Sequence, residues 1–350
     1  MFHVYLPLLL LIAAYGTSAL LIRRMIAIAV LDTPGHRSAH TRPTPKGGGV
    51  GVIGAFLLFL VPLRAVCGLP PLTMEAGALW GAVTLLAVVS WLDDVYQWPP
   101  LIKLAAQSLA ALTIALTTLP IDGFTGIPGL CATLAGAVFW LVFVTNAVNF
   151  MDGLNGLVSG VLCLSFLCLA LPFWPADSEA LRLSSALIAF GLLAFLPYNF
   201  PRAQIFLGDV GSQSCGLLIG AAALSLATQG PVAFLPDLHA ALLVPCLIAG
   251  LLYDVTVTLI RRALAGEAIL QAHRGHLYQV AYRAGVPMPA VSLVHWSFVL
   301  WGGGIFALTA LPGQREASSV TVTLALVALP QLVWTAFVLR RVRRHPIGRW

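Results

Sequence analysis

Charge is what this chain is shortest of. Only 9% of its 350 residues are Asp, Glu, Lys or Arg, against about 25% in an ordinary soluble domain. With 59% apolar residues and a mean hydropathy of +0.93, that scarcity excludes a disordered chain and an ordinary water-soluble enzyme. Cysteine excludes little more than it offers. The six cysteines, Cys67, Cys131, Cys163, Cys168, Cys215 and Cys246, contain no CxxC pair and mostly sit in apolar runs. They read as small buried apolar residues, neither a metal cluster nor a disulfide framework. The familiar phosphate and metal signatures are missing too. There is no GxxxxGK[ST], no GxGxxG after a strand and no HExxH. The run Lys46-Gly47-Gly48-Gly49 is therefore read as a basic, Gly-rich turn that touches a phosphate or enters a helix. No Lys or Arg precedes the first apolar run, while Arg23 and Arg24 follow it. That order predicts an uncleaved anchor with its N-terminus outside.

What fills the chain is hydrocarbon. A span needs about 20 apolar residues, and eleven segments are expected to supply one: 4–22, 48–66, 77–92, 101–119, 129–147, 157–174, 183–198, 214–229, 238–259, 291–310 and 320–339. The runs do not alternate, so helices and not barrel strands must satisfy the backbone in lipid. The expected fold is an all-α, polytopic membrane protein. It is a single transmembrane domain over residues 1–350, with a basic tail at 340–350 that meets anionic headgroups. With the N-terminus outside, sixteen of the 19 Lys and Arg residues fall on the inner side and only Arg64, Arg182 and Arg315 outside. This bias supports the odd span number and an inner C-terminus. It also accounts for the net charge of +6 without invoking nucleic acid.

The polar residues are clustered, and every cluster lies on the inner side in this topology. They are the stretches 32–49, 91–103, 146–157, 204–212 and 271–279. Asp93 and Asp94 end the third span; adjacent side chains do not share a helix face, so one can point into a cleft while the other holds a helix start or a basic partner. Asn146, Asn149, Asp152 and Asn155 recur every three residues, with Gly153 and Gly156 allowing tight turns. A helix-capping turn would explain part of that pattern. Asp209, between Gly208 and Gly211, reads either as a helix N-cap or as an oxygen ligand for a hard cation that bridges phosphate. His273, Arg274 and His276 form the one dense imidazole–guanidinium group, suited to phosphate. Acids beside apolar helices are costly and usually functional, so one catalytic face at the cytoplasmic side is the economical reading.

These motifs, in this order, resemble the polyprenyl-phosphate N-acetylhexosamine-1-phosphate transferases of the glycosyltransferase 4 type. Asp93 and Asp94 match the family's aspartate pair, and Lys103 its following lysine. Asn146, Asn149, Asp152, Gly153, Asn155 and Gly156 match its NxxNxxDGxDG segment. Asp209 matches the magnesium aspartate of its GDxGS turn, and His273, Arg274 and His276 its histidine-rich loop. The stretch from Asp32 to Gly49 matches its first inner loop. Asn155 departs from the usual Asp and cannot serve as an anionic ligand or an acid. The loop HRGHLYQ is similar to the branch that initiates O-antigen with UDP-N-acetylfucosamine or UDP-N-acetylquinovosamine.

The resemblance implies a Mg2+-dependent enzyme (Mn2+ as substitute) of the bacterial inner membrane. It would move an amino-sugar-1-phosphate from a UDP-sugar to undecaprenyl phosphate, release UMP and initiate O-antigen or a related surface glycan. Asp93, Asp94, Asp152 and Asp209 are its expected catalytic acids, and Asp209, Asn149 and Asp152 the expected metal ligands. Lys46, Lys103, Asn146, Asn149, Asn155, His273, Arg274 and His276 are expected to bind substrate. Membrane lipids are partners, nucleic acid is not, and a homo-oligomer is allowed. A transferase specific for UDP-N-acetylglucosamine is the alternative within the class. A membrane transporter is the alternative outside it, but the acids gather at inner helix ends with no inverted repeat, unlike midplane transport sites.

Overall fold

A backbone in hydrocarbon has no water to bond, so long apolar runs close their hydrogen bonds within helices. The computed structural model describes residues 2–32, 43–120, 126–172, 178–228, 238–268, 273–309 and 320–348. The parts of the expected inner loops that carry Arg37, Arg42 and residues 271–272 lie outside them, as does Arg315. Its helices are α1 (Phe2–Ile28), α2 (Gly48–Val66), α3 (Met74–Tyr96), α4 (Pro100–Thr118), α5 (Ile127–Met151), α6 (Leu157–Leu169), α7 (Glu179–Asn199), α8 (Gly208–Ala227), α9 (Leu238–Ala241), α10 (Leu243–Leu247), α11 (Ala249–Leu264), α12 (Leu277–Arg283), α13 (Met288–Thr309) and α14 (Val320–Arg344). A two-residue antiparallel pair, β1 (Leu31–Asp32) with β2 (Thr44–Pro45), is the only sheet among the described residues.

Nine of these helices are long and apolar enough to cross a membrane, and the chain is an all-α polytopic membrane protein. The other two expected spans take different forms. The segment beginning at 157 is helical only to Leu169, 13 residues, or about 20 Å at 1.5 Å per residue. The segment 238–259 is broken into α9, α10 and the start of α11. Pro245 lies inside α10, where it withholds a backbone donor and crowds the preceding turn. Hydropathy alone does not show such a break.

The hub is α8. In its span window 78% of residues are buried, against 17–50% in the other eight, so it is surrounded by protein while the others face lipid on one side. Small residues make this placement feasible, because without a hydrophobic driving force in lipid close backbone approach supplies the packing. A Cβ on Gly216 would stand 2.8 Å from the Cα of Thr145 in α5, and one on Gly211 2.8 Å from the Cα of Gly49 in α2. The starts of α2 and α8 are further joined through the backbone. Gly48 N donates to Phe206 O (2.9 Å), Gly49 N to Leu207 O (2.8 Å) and Phe206 N to Pro45 O (2.8 Å). The Lys-Gly-Gly-Gly run therefore enters a helix, and its glycines let that helix start against α8.

The Gly49–Gly211 contact generates a test. A Cβ at Gly49 would meet Gly211 N at 2.2 Å, whereas one at Gly16 meets nothing within 4 Å. Gly49→Ala should destabilise the detergent-solubilised protein by about 1–3 kcal/mol, as overpacking does. Gly16→Ala should be neutral or stabilising by up to ~1 kcal/mol. Thermal unfolding of the two variants beside the parent measures both, and equal melting temperatures would contradict the contact.

Candidate active site

The residues that start α2 and α8 and end α3 and α5 surround a cleft of about 420 Å³, within the range of small-molecule sites. Asp209 stands in the first turn of α8, where helix N–H groups favour negative charge. Its Oδ1 accepts from Asn149 Nδ2 (3.1 Å), and its Oδ2 from Lys103 Nζ (3.1 Å) and Gln213 Nε2 (3.0 Å). Asn149 Nδ2 also reaches Ser212 Oγ at 2.9 Å, which leaves its carbonyl oxygen to the cleft. Lys103 pairs at the same time with Asp93 Oδ2 at 2.7 Å.

The adjacent aspartates have separate tasks. Asp93 is buried and locked to Lys103. Asp94 lines the cleft, with Oδ1 2.7 Å from Lys46 Nζ and a buried Oδ2 that meets no hydrogen-bond partner among the described residues. The chain has two lysines in all, Lys46 and Lys103, and both pair with these acids. Asp152, at the end of α5, also lines the cleft. Burial, and then the charge of Asp209, hold its carboxyl well above the usual carboxylate range. Three carboxylates, Asp93, Asp94 and Asp209, thus share the two ammonium groups, and Lys103 serves two of them.

Other expected residues stand one step back. Asn146 does not line the cleft. Its Nδ2 donates to Gln107 Oε1 (2.7 Å), Gln107 Nε2 donates to Gln213 Oε1 (3.1 Å), and Gln213 donates to Asp209. Asn155 lines the cleft, and its Nδ2 donates to Pro201 O at 3.3 Å. Its loop is joined to the Asp209 turn by Asn199, which accepts from Gly156 N (2.7 Å) and donates to Ile205 O (3.0 Å).

The histidine loop divides likewise. Arg274 stands in the cleft wall, together with Gln279, Tyr282 and Arg283, but neither histidine lines the cleft. His276 is 4% exposed, and its Nδ1 lies 3.2 Å from Asp254 Oδ1. Asp254 also accepts the backbone N–H groups of Leu277 and Tyr278, each at 2.9 Å, and so caps α12 from α11. His273 Nδ1 accepts from Gly275 N at 3.1 Å. Burial, then the nearby His276, Arg262 and Arg261, lower its imidazole to about 4. Sequence reasoning missed Gln107, Asn199, Gln213, Asp254 and Arg283. The available signal was polarity inside apolar helices, clearest for Asp254.

The lowered imidazole has a pH consequence. An unfolded His titrates near about 6.5, so between there and about 4 the unfolded state binds the extra proton. His273 therefore opposes folding increasingly as pH falls through that window and is without effect above it. His273→Gln should shrink the drop in melting temperature between pH 7 and pH 5. An undiminished drop would contradict the assignment.

Comparison with known proteins agrees with this layout. Residues 76–227 match the glycosyl transferase family 4 profile, a stretch that contains the three lysine-paired aspartates Asp93, Asp94 and Asp209 and the Asn146–Gly156 segment. The probable undecaprenyl-phosphate N-acetylglucosaminyl 1-phosphate transferase of Bacillus subtilis is 28% identical over 297 residues, 83% of this chain and 78% of its own length. The decaprenyl-phosphate N-acetylglucosaminephosphotransferase of Mycolicibacterium smegmatis is 28% identical over 355 residues, 87% of this chain and 82% of its own. A phospho-N-acetylmuramoyl-pentapeptide-transferase of Staphylococcus epidermidis is 43% identical, but over 79 residues, 23% of this chain and 25% of its own. Residues 76–227, which carry the acids gathered on the cleft, match glycosyl transferase family 4, and over most of its length the chain is similar to polyprenyl-phosphate N-acetylglucosamine-1-phosphate transferases.

Proposed function

We propose that the cleft transfers an N-acetylated amino-sugar-1-phosphate from a UDP-sugar to undecaprenyl phosphate with Mg2+ bound, releasing UMP. The observation that carries this reading is the gathering of Asp94, Asn149, Asp152 and Asp209 on one cleft with Arg274 in its wall. Among the described residues no three His, Cys, Asp or Glu side chains form a metal cage by themselves. That suits Mg2+, which takes one or two carboxylates and completes its shell with water and substrate phosphate. Asp209 and Asp152, with the Asn149 side-chain carbonyl, would hold such an ion. When bound, the cation offsets charge on the donor diphosphate and makes its phosphorus more electrophilic.

The chain's own groups account for the rest. Arg274 can grip the donor phosphates in two-point fashion. An oxygen of the acceptor phosphate attacks the sugar-bearing phosphorus, the bridge to the uridine-bearing phosphorus breaks, and UMP carries away the bridging oxygen. The acceptor is already largely ionised at pH 7, so a direct displacement needs no covalent enzyme intermediate. Asp94 orients the acceptor or takes its residual proton, a task closed to Asp93, which is buried and does not line the cleft. Exposed apolar side chains near the cleft, among them Tyr96 and Leu101 at 66% and 74%, keep this chemistry beside the bilayer that holds a lipid carrier.

The HRGHLYQ loop favours UDP-N-acetylfucosamine or UDP-N-acetylquinovosamine and the start of O-antigen synthesis. UDP-N-acetylglucosamine is the second reading, favoured by the names of the relatives. UMP release from a panel of UDP-sugars with undecaprenyl phosphate decides between them, and release from none would refute the transferase reading for this cleft.

Two outcomes are expected beyond that panel. Asp209→Asn should lower turnover by at least about 100-fold, the scale of losing one preorganised electrostatic contact, and most at limiting Mg2+, while the protein stays folded. Near-parental turnover across a Mg2+ titration would remove Asp209 from the metal. For orientation, we place the N-terminus outside and the cleft and C-terminus on the cytoplasmic face of the inner membrane. With native cysteines replaced, Arg202→Cys should then react only from the cytoplasmic side and Leu72→Cys only from outside; the reverse labelling would invert the topology.

A further inference from the structure

Arg274 reaches the cleft from a short loop, and the backbone of that loop is held from two directions. Downstream, Asp254 fixes the N–H groups of Leu277 and Tyr278. The second hold comes from Arg283, at the end of α12. Its Nη1 donates to the carbonyl of Arg274 itself (3.2 Å), and its Nη2 to the carbonyl of Ile347 (2.8 Å). Ile347 lies beyond the end of α14 and packs against the apolar core. Arg341, in the last turn of α14, adds a parallel tie from its Nε to Ala284 O at 3.3 Å. One guanidinium thus joins the cleft loop to the segment after α14. Only arginine presents a rigid planar fork of donors able to span two carbonyls; a lysine ammonium is a point charge on a flexible stem.

We propose that Arg283 is a positioning residue for Arg274, and that residues 345–348 hold Arg283 in place, so that the segment after α14 sets how tightly the cleft grips the donor's phosphates. The basic end of the chain then has a task besides meeting lipid headgroups. This inference rests on the donor-transfer reading for its kinetic consequence, though not for its structural one.

The test uses three variants of the purified enzyme: Arg283→Lys, a chain stopped after Arg344, and full-length Ile347→Asp. The last undocks the segment without shortening the chain, in case the stopped protein does not fold. KM for UDP-N-acetylglucosamine, or for the best donor of the panel, is measured separately from KM for undecaprenyl phosphate and from kcat. Hydrogen exchange is followed over residues 273–283. Each variant should raise donor KM roughly tenfold, the scale of one lost hydrogen bond to a charged group. Acceptor KM should stay within about twofold, and exchange at 273–276 should quicken in all three.

If undocking the segment leaves donor KM and exchange unchanged while Arg283→Lys is impaired, Arg283 touches the donor directly and the proposal is overturned. Equal increases in both KM values, or a loss of kcat alone, overturn it as well, because they mark general disruption. A parent enzyme that releases no UMP from any donor refutes the transfer reading instead, and the exchange comparison still judges the tie.

Discussion

One ammonium group holds the site together. Lys103 Nζ lies 2.7 Å from Asp93 and 3.1 Å from Asp209, and so ties α3 and α8 to α4 at the point where the cleft begins. Remove it, and two carboxylates at the ends of apolar helices would face each other without that counter-charge. The same pairing decides the chemistry. It occupies Asp93 and one oxygen of Asp209, and leaves Asp94, Asp152 and the other oxygen of Asp209 directed to the cleft. Because most of α8 is packed against protein, these charges interact through a medium less screening than water.

The amides explain how Asp209 keeps one orientation. A carboxylate only accepts, so Gln213 must turn its NH2 group to Asp209 and its oxygen to Gln107. Gln107 must in turn offer its NH2 group to Gln213 and its oxygen to Asn146. The orientation of each amide follows from the charge at the end of the row. Asn146, which by spacing belongs with Asn149, thus works two side chains away from the cleft.

Much of this was legible in the residues before any coordinates. Hydropathy showed where helices lie, since a long apolar run in lipid has few other solutions. The inner clusters showed where chemistry gathers, because an acid beside hydrocarbon is retained only for a reason. Three-dimensional facts were not legible. Pro245 breaks a segment that hydropathy reads as continuous, and only packing tells whether a proline bends or ends a helix. The choice between Asp93 and Asp94 depends on which meets Lys103, a contact set by how α3 and α4 pack. His273 and His276 share a loop with Arg274, but only Arg274 lines the cleft. Asp254, 22 residues upstream of His276, captures one of them and caps α12, a partnership no local pattern reveals.

The central claim is that the acids around Asp209 hold a divalent cation together with the donor's diphosphate. Mn2+ can stand in for Mg2+ and broadens the phosphorus resonances of any phosphate close to it. The direct measurement is the 31P spectrum of UDP titrated with Mn2+ in the presence of the purified parent and of Asp209→Asn. The account predicts protein-dependent broadening of both UDP phosphorus signals with the parent, well beyond that of free Mn2+–UDP, and its loss with the variant. Equal broadening with parent and variant would contradict it.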